Sequence, residues 1–300
     1  MRIRQLLFVS FAVLLLGSAW AEQRAVIQTD EVIVIFEEPL RSAAREVVDI
    51  QGEVKHELET MLGLRLDFRP RVLLVPDRER FVAMTGNELF VAFAVPEQKL
   101  VVIDYTRMTT DPFTLRTTLK HELCHLILHR YIERERLPTW LDEGIAQWTS
   151  DGIAEIIMDR KRSVLREATL SGNYLSMVDL THGFPRDRTL LMLAYEESRS
   201  FVEYMVGEFG AEGVRAVLER LRAGDTVDEA IEGSLFVSLG ELEKKWHDQL
   251  RRKTTWFSYL STHLYGILFF LAALITIGGF IRLMIVKRRR YADEYDRLSD

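Results

Sequence analysis

The stretch LKHELCHLILH at 119–129 sets His121, Glu122 and His125 in an otherwise apolar run. Two histidines four apart lie on one face of a helix, one turn apart, and both imidazoles can reach one ion. Glu122 is offset by one position and would stand beside a water held by such an ion. If the ion is zinc, that water is acidified to a pKa of about 7. Glu122 would accept its proton as general base. A helix that merely tolerates histidines is the alternative, and a third ligand on the next element would decide between them.

The next element is LPTWLDEGIAQW at 137–148. Thr139 and Asp142 have the spacing of a capping box, with Asp in place of the usual Glu. Glu143 then falls one turn into a helix among Leu141, Ile145, Ala146 and Trp148, where a carboxylate needs a reason to stay charged. A metal ion is one reason; a surface position favoured by the helix dipole is the other. Gly144 is expected to let this helix approach the His121 helix closely. His121-Glu122-x-x-His125 is the zinc-hydrolase pattern H-E-x-x-H. Glu143 follows its second histidine after seventeen intervening residues.

These residues need a scaffold. EVIVIFEE (31–38) alternates and reads as a strand, and RVLLVP (71–76) as a second. Between them, Val47, Ile50, Val54, Leu58 and Leu62 recur at helical spacing up to Gly63. DRERFVAMTG is expected to form a short helix closed by Gly86. LFVAFAV (89–95) and KLVVID (99–104) flank Pro96-Glu97-Gln98 as a hairpin. Helices are expected over about 112–131, from Thr139 to about 150, and over 188–209 ending at Gly210. Shorter helices follow, two of them opening with the capping boxes Thr226…Glu229 and Ser238…Glu241. The outline is α+β: a small mixed sheet followed by a mostly helical half.

The 300 residues carry a net charge of −6 without a basic stripe in the central region, which argues against a nucleic-acid partner. The single cysteine, Cys124, permits no intrachain disulfide and reads as a small buried hydrophobe. Residues 1–21 carry Arg2 and Arg4, an apolar run and Ala19-Trp20-Ala21, the make-up of a signal peptide. Cleavage after Ala21 is expected; an uncleaved anchor is the alternative. Leu264–Ile281 is free of formal charge and long enough for a membrane helix, drawn at 256–286. Trp256, Tyr259 and Tyr265 sit as an aromatic belt, and Lys287–Arg290 begin a cytoplasmic tail, 287–300. The domain between, 22–255, is then expected on the outer side of a plasma (inner) membrane, periplasmic or extracellular, on a single span.

H-E-x-x-H with Glu143 inside WLDEGIA resembles the glutamate-zincins, the group of thermolysin and the zinc aminopeptidases. More closely, the chain is similar to peptidase MA-like domain proteins, from about residue 30 to 251. The likeness includes RVLLVPDRERFVAMTG, the hairpin, LAYEESRSFVEYMVGEFG and TVDEAIEGSLFVSLGELEKKWHDQL. It implies a zincin-like fold with Zn2+ on His121, His125 and Glu143, and Glu122 as general base. It also implies a downstream Tyr or His as oxyanion donor; Tyr195 matches, with a core tyrosine as the alternative, and His182 is a weaker candidate. Gln147 stands where related enzymes keep an acidic residue that orients a ligand histidine. His129 is read as packing or as support for the ligands. An edge strand from the hairpin would bind extended substrate. The aminopeptidase stretch Gly-x-Met-Glu-Asn is absent, which favours an endopeptidase. Two readings stay open: a membrane-anchored zinc metallopeptidase acting on a peptide or protein substrate, envelope proteins included, or a non-catalytic scaffold of the cell envelope.

Overall fold

The computed structural model describes residues 24–109, 112–151 and 163–298; for 255–263, 265, 267 and 285–298 it describes the backbone alone. The leader expected over 1–21 lies outside these residues. The chain divides into two units between Trp246 and His247.

In the first unit, five strands form one mixed sheet: β1 (Arg24–Gln28), β2 (Ile33–Glu37), β3 (Arg71–Val75), β4 (Ala92–Val95) and β5 (Leu100–Asp104). The order is β1-β2-β3-β5-β4, so β1 and β4 are the edges. β2, β3 and β5 run parallel, and the two edges pair antiparallel to their neighbours. Strand β1 was not anticipated: its Val and Ile alternate in a strand whose burial is slight, with Val26 exposed. The expected hairpin forms as β4 and β5 around a short 3-10 turn at Pro96–Gln98.

Period-2 alternation sends side chains to two covered faces. Val72, Leu74, Val101 and Ile103 are buried on one side. Val75, Leu100 and Val102 turn the other way, onto Phe81 of helix α2 (Arg78–Thr85). Helix α1 (Arg41–Leu62) packs against β2 with Val47, Val54, Leu58 and Leu62 buried, each contributing roughly 1.5–3 kcal/mol. It ends at Gly63, whose φ of 71° is left-handed, as expected from the sequence.

The helical half begins with α3 (Leu115–Tyr131), capped by the Thr114 hydroxyl, which accepts from Thr117 N–H. It packs against β4, β5 and α1. Helix α4 (Thr139–Thr149) follows, then α5 (Val164–Ser171), which the sequence reading did not include. Helix α6 (Arg188–Ala223) is broken at Gly210, where φ is 70° and ψ 172°, so its first arm matches the expected 188–209. Helix α7 (Val227–Leu235) opens with the full Thr226–Glu229 capping box. Helix α8 begins at Leu239 and continues to Leu298.

The second unit is the part of α8 from His247 onward. Leu268, Phe269, Phe270, Ile275 and Phe280 are exposed on it. Among the described residues, no helix is long and apolar enough to cross a membrane.

Candidate metal centre

Helix α3 is buried along most of its length because the sheet lies on one side and α1 and α4 on others. That is why its apolar residues surround the polar motif. His121 and His125 fall one turn apart and turn Nε2 toward a common point, 3.2 Å from each other. Glu143, in the first turns of α4, places Oε2 3.8 Å from both nitrogens.

The three donor atoms thus form a triangle. Nitrogen and oxygen donors about 2.0–2.2 Å from one tetrahedral centre would be about 3.3–3.5 Å apart. The observed edges lie within half an ångström of that range, and the three residues form a candidate ion-holding group among the described residues. The tautomers point the same way. Nδ1 of His125 lies 2.8 Å from Oδ1 of Asp142. An imidazole that donates from Nδ1 keeps its lone pair on Nε2. Nδ1 of His121 lies 3.4 Å from Oγ of Ser150, a hydroxyl that itself donates to the Ala146 carbonyl. Two Nε2 lone pairs facing one carboxylate oxygen make a pocket of negative potential that a zinc ion fits.

The negative potential that would attract a metal ion also raises the site's affinity for a proton, which a bound ion would displace. Burial alone would depress the His125 pKa, but Asp142, Glu143 and Glu122 outweigh it and hold it well above the ordinary value. Burial would raise Asp142, but His125 and His129 hold it well below the usual carboxylate range. Glu122 is 0 % exposed and near enough to act on the charge of His125.

Asp142 is the residue that sequence reasoning placed wrongly. It does not build a capping box: the N-cap of α4 is Pro138, without a side-chain cap, and the Thr139 hydroxyl donates to the Thr181 carbonyl instead. Both Asp142 oxygens go to histidines, Oδ1 to His125 and Oδ2 to His129, each at 2.8 Å. The signal available in the sequence was the spacing of His125 and His129, one helical turn apart.

Gln147 is corrected in the opposite direction. Its Nε2 donates to the backbone carbonyls of Glu143 and Tyr195, at 3.3 and 3.0 Å, so it ties α4 to α6 and orients no histidine. Gly144 does serve close packing, but against α6: a Cβ there would meet the Ser198 carbonyl. The same contact is reinforced by the aromatic column Trp140–Phe201–Trp246, with successive ring centroids 5.2 Å apart.

Tyr195 is 3 % exposed and packs with Leu191, Phe184 and Leu89, its ring edge-on to Phe184 at 5.0 Å. His182 is exposed, just after the turn Asp179–Thr181. Cys124 is fully buried, and burial pushes its thiol up to about 12. Of the two hairpin strands, β4 is the edge and β5 is interior, so LFVAFAV carries the edge beside α3.

The model of the Peptidase MA superfamily matches residues 90–252, from just before β4 through the His121, His125 and Glu143 cluster into α8. Strands β1 to β3 and helix α1 precede that match. A solved structure similar to this chain is a mutant form of the M1 zinc metallopeptidase from Deinococcus radiodurans. The identity is 14%, the TM-score 0.40, and the match covers 75% of this chain and 51% of that one. The chain therefore spans about half the length of that protein. No curated protein matches the sequence.

Proposed function

The chain belongs to the peptidase MA superfamily, and from that membership we propose that it is a zinc-dependent metallopeptidase, an endopeptidase that hydrolyses peptide bonds. The observation that carries the reading is the triangle of His121, His125 and Glu143, with Glu122 buried beside it.

Bound by those three residues, zinc supplies a Lewis acid and an acidified water. The chain's own groups do the rest. His121 and His125 hold their Nε2 lone pairs toward the site by donating from Nδ1. A carboxylate oxygen of Glu122 takes a proton from the attacking water and delivers it to the leaving amine. The edge strand β4 offers its backbone groups to an extended substrate. Tyr195 is the proposed oxyanion donor, supported by its place early in α6, the helix packed against α4.

Asp142 supplies a charged group to His125, so the neutral Gln147, bonded to backbone carbonyls, does not count against catalysis.

We also propose that the protein is anchored in the plasma (inner) membrane by residues 256–286, with the catalytic domain outside and 287–300 in the cytoplasm. The support is the charge-free run Leu264–Ile281 with Lys287–Arg290 after it, and the leader pattern of 1–21. A peptide or protein substrate, envelope proteins included, would meet the site there.

The experiment is metal analysis and peptide cleavage on the full-length protein. About one zinc per chain is expected, with Glu122→Gln keeping the zinc and losing hydrolysis. A metal-free protein, or a Glu122→Gln variant as active as wild type, would end the reading. Protease protection of the C-terminal tail in sealed vesicles tests the topology.

A further inference from the structure

We propose that His129 is a positioning residue for the metal centre, acting through Asp142 on His125 and on the placement of Glu143. The inference rests on the zinc reading of that centre.

The links are short and nearly enclosed. Nε2 of His129 lies 2.8 Å from Oδ2 of Asp142, and Oδ1 lies 2.8 Å from Nδ1 of His125. The side chains of these three residues are 9–14% exposed. Hydrogen bonds gain strength in such a low-dielectric setting. His125 and His129 stand one turn apart on α3, and Asp142 reaches both from α4.

Two consequences follow from that geometry. The terminal torsion of an aspartate is broad, so a carboxylate held at one oxygen can swing. The bond from His129 holds the second oxygen and fixes the carboxylate plane. Oδ1 then stays on Nδ1 of His125, and the lone pair of Nε2 stays aimed at the ion site. Second, both bonds cross from the helix that carries the two histidines to the helix that carries the third ligand. Asp142 directly precedes Glu143, so the clamp sets where the Glu143 carboxylate meets the histidines. Glu143 Oε2 is 3.8 Å from each Nε2, an equal reach that a slip of α4 along α3 would remove.

The ring of His129 also lines a cavity of about 290 Å³ between α3 and the turn after β4, with Phe68 and Leu126 among its walls. A substituted side chain can relax into that space, so the position can be altered without straining the core.

The test is zinc affinity of the full-length protein, measured by chelator competition, together with the visible spectrum of the cobalt-substituted form. His129→Leu is expected to weaken zinc binding about 10–100-fold and to change the cobalt spectrum. His129→Gln, which can present an N–H where the ring Nε2 lay, is expected to restore most of both. In an Asp142→Asn background, His129→Leu should have little further effect, because the two act as one link. If His129→Leu does not fold, His129→Asn, too short to reach Asp142, takes its place with the same expectations.

Wild-type zinc affinity and an unchanged cobalt spectrum in His129→Leu would overturn the proposal. So would equal losses in the Leu and Gln variants, or full additivity with Asp142→Asn, since either outcome means packing rather than the bond to Asp142. Wild-type protein without zinc affinity would instead refute the zinc reading itself.

Discussion

Gly144 and Ser198 stand so close that a Cβ on Gly144 would lie 2.5 Å from the Ser198 carbonyl oxygen and 2.6 Å from Cγ2 of Val202. The residue after Glu143 is thus a point where α4 seats on α6. Backbone cannot yield as a flexible side chain does, so any larger residue displaces α4. Gly144→Ala is expected to destabilise the protein by about 1–3 kcal/mol, the usual range for overpacking. Because Glu143 moves with α4, zinc affinity should fall with it. Thermal melting and chelator competition check both; an unshifted melting temperature would show that α4 and α6 are not in this contact.

Tyr195 separates catalysis from packing. Tyr195→Phe keeps the ring against Phe184 and Leu191 and leaves the Gln147 bond to the backbone carbonyl in place. If the hydroxyl stabilises the oxyanion, kcat should drop about 10²–10³-fold with KM and zinc content little changed. Unaltered kcat would assign Tyr195 to the core alone.

Glu197 gives the stability a pH dependence. It is 0 % exposed, and burial raises its pKa to about 8; the Leu175 N–H bond opposes the rise, while Glu243 and Glu196 add to it. The folded protein therefore holds a proton that the unfolded chain releases above about 4.5. Stability falls as pH rises from about 4.5 to about 8 through this group. Glu197→Gln cannot titrate and should melt at least about 2–4 °C higher than wild type at pH 8, the shift that about 1 kcal/mol produces in a domain of this size. Near pH 4.5 the two should melt alike. A melting difference independent of pH would contradict this.

Cys124 should be silent. Fully buried, with a thiol pushed up to about 12, it presents neither access nor thiolate. Alkylation by iodoacetamide is expected only after denaturation, and Cys124→Ala should keep zinc affinity near that of wild type. Rapid labelling of the native protein would show that α3 opens.

Much of the site was legible because its information is local. His121, Glu122 and His125 share one helix, so spacing alone places both imidazoles on one face. Glu143 could be read as a candidate from its apolar neighbours and from its place on the element that follows His121 and His125. The helix ends at Gly63, Gly86 and Gly210 were legible for the same reason: each has a positive φ that glycine adopts without strain. Strand β1 was less so, since an edge strand half in solvent carries a weak alternation.

What the sequence by itself determined, then, is the placing of His121 and His125 on one helix face with Glu122 beside them, and the α+β outline, each a function of periodicity along a single element. The tertiary structure alone decided which carboxylate supports the histidines, which hairpin strand is the edge, and which helix Gly144 approaches. Asp142, Gln147 and Gly144 occupy neighbouring turns of α4, yet they face α3, α6 and α6 in turn. That assignment depends on how α4 is rotated between its two neighbours. The rotation is set by the packing of Trp140 on Phe201 and by the bonds of Asp142 to His125 and His129, contacts between residues far apart in the chain.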